Sequence, residues 1–323
     1  MNPSLTRITF RLLACILPLA AAAPAWAQSY PTKAIQIVVP YAPGGSSDFA
    51  ARQLSHRLET RLGQPVVVVN RPGASGTIGV TQVARAEPDG YTLLLGLNTE
   101  MVIVPQLTRN TPYDLDKFEP ISIVGSTPLV LVGKKEFRAN DMRGLIEEIR
   151  AQPGKINFGG AVGSPAHISG SWLRRAAKLD IAHVPYKGGA QAANDVAGGS
   201  LDLYFSGILP AKPLIEAGRI KAYVVTGEKR SSTLPNVPTM AEAGIPDFVL
   251  GNWTAMFAPK GTPAPVVALL KKNVREILAE PDFRAAMQKE GIDIPATDDP
   301  AGFLKAEHDK FGRLLKELDI SGS

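Results

Sequence analysis

Cysteine is almost absent from this chain of 323 residues: the single one, Cys15, lies in an apolar stretch near the N-terminus. The rest of the sequence therefore has no disulfide, thiolate metal site or cysteine nucleophile. That apolar stretch is too short to span a bilayer and no second such segment follows it, so a polytopic membrane protein is not expected. Glycine and proline are frequent, at 30 and 27 residues, but show no collagen-like repeat. What remains is a folded protein of about two domains, at roughly 150 residues each.

Signatures of catalysis are also missing. No serine lies in a G-x-S-x-G motif, and the four histidines show neither H-E-x-x-H nor H-x-H spacing. No pair of carboxylates is spaced as in a glycosidase. We therefore expect no catalytic residue, no metal and no cofactor. The formal net charge is only +5, and no basic cluster with interleaved aromatics occurs, so nucleic acid is not an expected partner.

Residues 1–27 have the three parts of a secretory signal peptide. Arg7 and Arg11 form a positive n-region, an apolar run from Leu12 to Ala23 follows, and Ala25-Trp26-Ala27 gives a small-x-small cleavage pattern. The residues around the lone cysteine also resemble a lipobox, but too few apolar residues precede it. We predict export to the periplasm with cleavage after Ala27.

Apolar, β-branched runs alternate with helical segments in the rest of the chain, which predicts parallel α/β sheets. A first unit has predicted strands at Ile35–Val39, Val66–Asn70 and Thr92–Leu97. A second unit has predicted strands at Ile156–Gly160, Ile181–Pro185, Leu203–Ser206 and Ile220–Thr226. Helices are predicted ahead of these four strands at Met142–Arg150, Pro165–Ala177, Ala190–Ala197 and Pro213–Ala217.

Two apolar runs are predicted to pass between the units: Ile121–Val132, broken at Gly125–Pro128, and Val249–Ala258. Three helices beginning at Pro263, Pro281 and Pro300 are expected to pack on the first unit. Two passages between two α/β domains imply a hinge and a cleft. The predicted division is residues 28–124 and 253–323 for domain 1, and residues 125–252 for domain 2.

Glycine-rich loops follow several of the predicted strands and open helices. In the first loop, Ser46 or Ser47 is a predicted N-cap, and Ser164 followed by Pro165 is another. A helix start presents unpaired N–H groups and partial positive charge, so it suits a carboxylate or phosphate. An ordinary strand-to-helix turn is an equally good interpretation of the first loop alone. Ligands of open α/β sheets gather at the carboxyl ends of the strands, where these loops would converge.

These loops resemble those of the Bug-type extracytoplasmic solute receptors of the tripartite tricarboxylate transporter family. The resemblance covers nearly the whole chain after the signal peptide. It rests on Tyr30–Lys33, Pro40–Asp48, Asn70 with Pro72-Gly73-Ala74 and Gly76, Pro88–Leu93, His183–Gly188, Pro238-Thr239 with Glu242-Ala243-Gly244, and Trp253 with Ala258-Pro259.

The resemblance implies a two-domain periplasmic binding protein of type II-like α/β architecture, in which two parallel-rich domains are joined by two crossover segments. It implies a receptor and not an enzyme, which closes on a small organic carboxylate and delivers it to membrane permease subunits. We expect a monomer. The candidate ligand-binding residues are Tyr41, Ala42, Gly44, Gly45, Ser46, Ser47, Asp48, Asn98, Thr99, Gly163, Ser164, His167, Tyr186, Asp195 and Ser206.

Two acidic residues complicate this expectation. Asp195 occupies a family position that could meet a ligand amine or hydroxyl, but Gln191 replaces the usual proline before its helix. Glu100 is unusual at an anion site; if it points inward, it disfavours a second ligand carboxylate nearby or favours an amino group.

Other functions and several ligands stay open from the sequence. The same receptor could present its ligand to a membrane signalling protein, and a periplasmic hydrolase or isomerase is a third, less supported hypothesis. Aromatic carboxylates, dicarboxylates, amino acids and nicotinate-like acids are all possible ligands.

Overall fold

A computed structural model describes residues 30–186, 189–246, 248–295 and 297–321. The predicted signal peptide and its cleavage point after Ala27 lie outside these residues. In this described part of the chain, no helix is both long and apolar enough to cross a membrane.

Nine strands and ten α-helices form the described structure. The strands are β1 (Ile35–Val39), β2 (Val66–Asn70), β3 (Thr92–Leu97), β4 (Phe118–Lys134), β5 (Ile156–Gly160), β6 (Ile181–Pro185), β7 (Leu203–Gly207), β8 (Ile220–Val225) and β9 (Gly251–Pro259). The helices are α1 (Ser46–Leu62), α2 (Thr77–Ala84), α3 (Val104–Leu107), α4 (Met142–Arg150), α5 (Pro165–Ala176), α6 (Gly189–Ala197), α7 (Ile208–Glu216), α8 (Ala264–Ala279), α9 (Pro281–Lys289) and α10 (Pro300–Glu317). A π-helical turn, Thr99–Ile103, connects β3 to α3.

The strands form two groups that share β4. In the first group the order is β2-β1-β3-β9-β4, with β1 parallel to β2 and β3, and β9 antiparallel to both of its neighbours. In the second group, β4 pairs antiparallel with β7 and β8, while β5 runs parallel to β6 and β7. We call the first group with its helices the first lobe and the second group the second lobe. This is the two-domain α/β binding-protein fold that the resemblance implied.

Strand β4 passes from one lobe to the other without interruption. Its residues from Phe118 to Pro128 pair with β9, and its residues from Leu129 onward pair with β7 and β8. The interruption of the apolar run at Gly125–Pro128 therefore does not interrupt the strand. Pro128 has no N–H group to donate, so a change of partner strand at this point sacrifices no bond to β9. The predicted domain boundaries at residues 124/125 and 252/253 lie close to this change and stay a prediction.

Apolar residues on both faces of the first lobe's sheet explain its continuous hydrophobic strands. On one face, β1 contributes Ile35, Ile37 and Val39 to a core with α1, α8 and α9. On the other face, Val38 joins a core with α2 and α10. Helix α1 ends at Gly63, which takes the left-handed conformation at φ 68°.

One helix begins earlier than predicted, and another contacts both lobes. Helix α7 begins at Ile208 and not at Pro213, so the predicted start is wrong. Pro213 lies inside the helix, more than one turn after its first residue. Helix α10 packs on β4 and on the π-helical turn, and the Arg175 side chain of α5 donates to the backbone oxygen of Glu317 at its end. Because α10 thus contacts both lobes, its assignment to domain 1 stays a prediction.

Candidate functional site

The loop between β1 and α1 is organised by Asp48 and not by a serine cap. Gly45 occupies the N-cap position without a side-chain bond, so the prediction that Ser46 or Ser47 caps this helix is wrong. Asp48 in the first turn accepts instead from the backbone N–H of Gly44 at 3.1 Å. A carboxylate at this position also complements the positive end of the helix.

Asp48 is almost fully buried, and four donors surround its two oxygens. Arg52 binds it through two nitrogens, at 3.0 Å each, and Nδ2 of Asn70 donates to it at 3.0 Å. Burial acts to raise the pKa of Asp48, but the bonds from Arg52, Gly44 and Asn70 outweigh it and lower the pKa. Asn70 also donates to the backbone oxygen of Tyr41 at 3.0 Å. The end of β2 is thereby fastened to the first loop, a contact that the sequence did not indicate.

Tyr41 joins this loop to Glu100 in the π-helical turn after β3. Its hydroxyl donates to Oε2 of Glu100 at 2.7 Å, and the backbone N–H of Leu97 donates to Oε1 at 2.6 Å. Glu100 is fully buried, and this burial raises its pKa to about 7 against the lowering effect of those bonds. Burial and the neighbouring carboxylate also raise the pKa of Tyr41. Glu100 therefore lies buried behind the first loop, and whether it faces the ligand stays a prediction.

Asn98 lies at the same edge of the sheet and is fully buried. Its Nδ2 donates to the backbone oxygen of Gly251 at 2.8 Å, the residue at which β9 returns to the first lobe. Its Oδ1 has no hydrogen-bond partner among the described residues. Thr99 follows and begins the π-helical turn, a rare conformation that is frequent at functional sites.

In the second lobe, Ser164 caps α5 as predicted. Its Oγ accepts from the backbone N–H of His167 at 3.3 Å, and Pro165 occupies the first helical position. The backbone N–H of Gly163 donates to Nδ1 of His167 at 3.1 Å. Burial lowers the pKa of His167 to about 4, with a contribution from His183. The ring is therefore neutral at pH 7, with its proton on Nε2, because Nδ1 is the acceptor.

A second histidine, His183, stacks on His167 with ring centroids 3.7 Å apart. Its Nε2 is 2.9 Å from the backbone oxygen of Gly160 and acts as the donor, since a carbonyl can only accept. Burial lowers the pKa of His183 too. Sequence reasoning missed this residue as part of the site, although it lies in a motif that carried the resemblance.

Tyr186 and Asp195 form a pair at the next helix. The Tyr186 hydroxyl donates to Oδ2 of Asp195 at 2.8 Å, and burial together with Asp195 raises the pKa of Tyr186 to about 12. The backbone N–H of Tyr186 also bonds the oxygen of Gly160 at 3.1 Å, so this pair is tied to the histidine stack. Ser206 is fully buried at the end of β7, where its hydroxyl donates to the Gly207 oxygen at 2.9 Å.

The loops of the two lobes approach each other at Gly163. A Cβ atom built on this residue would lie 2.1 Å from Cδ1 of Leu107 and 3.6 Å from Cγ2 of Ile103, both from the segment that follows Glu100. A side chain here would displace the end of the Leu107 side chain, and the φ of 74° favours glycine at this position. Two surface depressions, of about 280 and 690 Å³, share no residue with the candidate set. Within the described ranges, no group of three or more potential ligands could hold a metal ion.

Comparison with known proteins shows to which class of protein this fold belongs. BugT of Bordetella pertussis is 36% identical over 301 residues, which cover 92% of each chain. A solved R. palustris protein with adipate is 31% identical, with a TM-score of 0.83 over 91% of this chain and all of that one. MatC of Rhodopseudomonas palustris, with bound malate, is 32% identical, with a TM-score of 0.77 over 88% of this chain and all of that one. The class is therefore that of periplasmic binding proteins.

The family can be stated more closely. The model of the tripartite tricarboxylate transporter family receptors matches residues 50–320, and the chain belongs to this family. Its members are solute-binding receptors and not enzymes.

Proposed function

We propose that this protein is an exported receptor that captures a small organic carboxylate between its two lobes and delivers it to the permease of a tripartite tricarboxylate-type transporter. The observation that carries the proposal is the close approach of the capped start of α5 to the segment after β3, at Gly163 and Leu107. Two lobes whose strand ends face each other can enclose a small ligand and exclude water.

The polar groups at this approach suit a carboxylate. The start of α5 offers backbone N–H groups and the positive end of a helix, and His167 has an Nε2–H donor to offer. On the first lobe, Ser46 and Thr99 add hydroxyl groups. Donors of this kind act more strongly in a closed, water-poor cleft than in bulk water. The fifteen candidate residues named from the sequence are the proposed ligand contacts.

The relatives indicate which acids should be tried first. One solved relative holds adipate and another holds malate, so aliphatic dicarboxylates head the panel, followed by amino acids, aromatic acids and nicotinate. A thermal-shift screen with this panel tests the proposal, because a ligand stabilises the folded protein by about 2.7 kcal/mol at a hundredfold excess over Kd. No shift with any acid contradicts it.

A matched pair of cap variants separates ligand contact from helix stability. Ser164→Ala should weaken binding of the responding acid by about 1–3 kcal/mol, if the hydroxyl bonds the charged group. Asp141→Ala removes the cap of α4, where its side chain accepts from Gly144 N at 2.8 Å, and should leave the affinity unchanged. Each variant loses about 1 kcal/mol of stability. Equal affinities in the two variants would remove Ser164 from the ligand contacts.

Location and partner are parts of the same proposal. We propose a periplasmic protein, cleaved after Ala27, that acts as a monomer. N-terminal sequencing of the mature protein checks the cleavage point. Capture of a membrane permease by the liganded protein supports transport, whereas capture of a sensor kinase supports the signalling alternative.

A further inference from the structure

Glu100 is a fully buried acidic side chain behind the first loop, and it is bonded to Tyr41, one of the proposed ligand contacts. Its Oε2 accepts the Tyr41 hydroxyl at 2.7 Å, and its Oε1 accepts the Leu97 backbone N–H at 2.6 Å. The side chain is sealed from below by Gly76, where an added Cβ would lie 3.0 Å from Cβ of Glu100. This carboxylate is therefore held in one position, with one oxygen turned to the first loop.

The groups around Glu100 are neutral. Tyr41 faces it from the first loop, the Leu97 N–H from β3 and Gly76 from the turn before α2. The Tyr113 hydroxyl reaches only its backbone oxygen, at 2.9 Å. No cation of the described chain is among the causes that shift its pKa, which burial raises to about 7. A second negative charge brought to the first loop would thus meet an uncompensated carboxylate in a poorly solvated place.

The hydrogen bonds fix where a proton on Glu100 must go. Oε1 already faces an N–H donor, so the proton binds on Oε2 and is donated to the oxygen of Tyr41. The Tyr41 hydroxyl then no longer donates to Glu100, and its proton is free for another acceptor, which in this proposal is the ligand carboxylate. When Glu100 is ionised, its Oε2 accepts the proton of the Tyr41 hydroxyl. The Tyr41 oxygen then presents only lone pairs to a ligand. A carboxylate in the first loop is consequently favoured by the protonated form in two ways, through charge and through the direction of the Tyr41 hydrogen bond.

We propose that Glu100 and Tyr41 form a proton-linked specificity pair, so that the receptor binds its carboxylate ligand together with one proton taken up from solvent by Glu100. This inference rests on the proposed function and adds to it the species that is captured: an acid anion plus a proton. Thermodynamic linkage gives the direction in which affinity changes with pH. A group that is protonated more fully in the complex than in the free protein makes affinity fall as pH rises, by up to about tenfold per pH unit.

Titration calorimetry with adipate and L-malate between pH 5.5 and 8.5 tests the pair, in phosphate and in Tris so that the protons exchanged can be counted. For the wild-type protein we expect uptake of about half a proton at pH 7 and close to one at pH 8. The Kd should rise about five-fold between pH 7 and pH 8 and change little below pH 6. Uptake close to zero throughout this range overturns the inference.

Glu100→Gln removes the group that titrates and keeps its hydrogen bonds. The glutamine oxygen keeps the Leu97 bond and its amide donates to Tyr41, which imitates the protonated glutamate. This variant should bind the acid without proton uptake and, at pH 8, about tenfold more tightly than wild type. Tyr41→Phe loses the hydroxyl and should bind about tenfold more weakly at pH 6. Glu307→Gln, which changes a glutamate bonded to Trp253, should keep the wild-type uptake and serves as the control.

The outcomes distinguish this inference from the proposed function. Binding with equal proton uptake in wild type and Glu100→Gln contradicts the pair and leaves the receptor function standing. If wild type and Glu100→Gln both fail to bind any acid of the panel, the proposed function is wrong and the inference falls with it.

Discussion

The point at which the chain crosses between the lobes depends on one buried hydroxyl, that of Thr226. Its Oγ1 accepts from the backbone N–H of Leu129 at 2.8 Å and donates to the backbone oxygen of Leu250. The backbone of Thr226 adds bonds to the same two residues, at 2.9 and 3.2 Å. Leu129 is the first residue of β4 after the change of partner strand, and Leu250 directly precedes β9. Thr226 therefore holds both crossing segments together.

Thr226→Val keeps the shape of this side chain and removes only the hydroxyl. The N–H of Leu129 is then left buried without a partner, which costs about 1–3 kcal/mol, and the lost bond to Leu250 costs about 1 kcal/mol more. The added methyl group returns roughly 0.8 kcal/mol. We expect a net loss of about 2 kcal/mol in the free energy of unfolding and a fall in Tm of about 4–8 °C.

Urea unfolding followed by tryptophan fluorescence measures this loss. Thr226→Ser keeps the hydroxyl and loses one buried methyl group, so it should be destabilised by about 1 kcal/mol and lie between wild type and Thr226→Val. A Thr226→Val protein within 0.5 kcal/mol of wild type, or more stable than Thr226→Ser, would refute the idea that the hydroxyl joins the crossing segments.

Three further predictions concern the second lobe and α10. Gly160→Ala should cost about 1–3 kcal/mol in urea unfolding, since its Cβ would lie 2.8 Å from the backbone nitrogen of His167, whereas Gly198→Ala, with its nearest atom at 3.4 Å, should cost under about 0.5 kcal/mol. Because the folded pKa of His167 is about 4, the unfolded chain binds more protons, so stability should fall as pH falls from 6.5 to 4. His167→Asn should lessen this fall, and an unchanged slope would contradict the assignment. Trp253→Phe removes a 2.9 Å bond to Glu307 and should cost about 1–3 kcal/mol by thermal unfolding; a cost below 0.5 kcal/mol would show that bond to be unimportant.

Elements with strong local signals could be predicted from the sequence. Continuous β-branched runs gave β1 and β2 with their observed bounds, and Met142–Arg150 and the capped start at Ser164 were also found in place. These features depend on side chains only a few positions apart. The continuity of β4 could not be predicted, because it depends on β9 along its first part and on β7 and β8 along its last part, which are all distant from it in sequence.

Prediction of the candidate site from the sequence meets the same limit. The resemblance placed Tyr41, Asn98 and Asp195 among the candidates. Their hydrogen-bonding partners could not be predicted, because these are distant in sequence or belong to no recognisable sequence motif. The bond from Tyr41 to Glu100 joins loops after two different strands, and the bond from Asn98 to Gly251 spans nearly half the chain. Serine at a helix start predicts a cap by propensity, yet at α1 the competing carboxylate of Asp48 bonds the loop instead. Whether each candidate touches ligand stays a prediction.

The position of β9 has a consequence for how this protein is made. β9 lies between β3 and β4, pairing Leu94 with Phe257 and Ile123 with Ala255. Until residues 251–259 have emerged, β3 and β4 each present an open edge, and an open edge is a template for association with other chains. Pairings of such high sequence separation also form slowly. The first lobe, although it begins the chain, is therefore among the last parts to be completed, and a nascent chain benefits from being kept unfolded until synthesis is nearly finished.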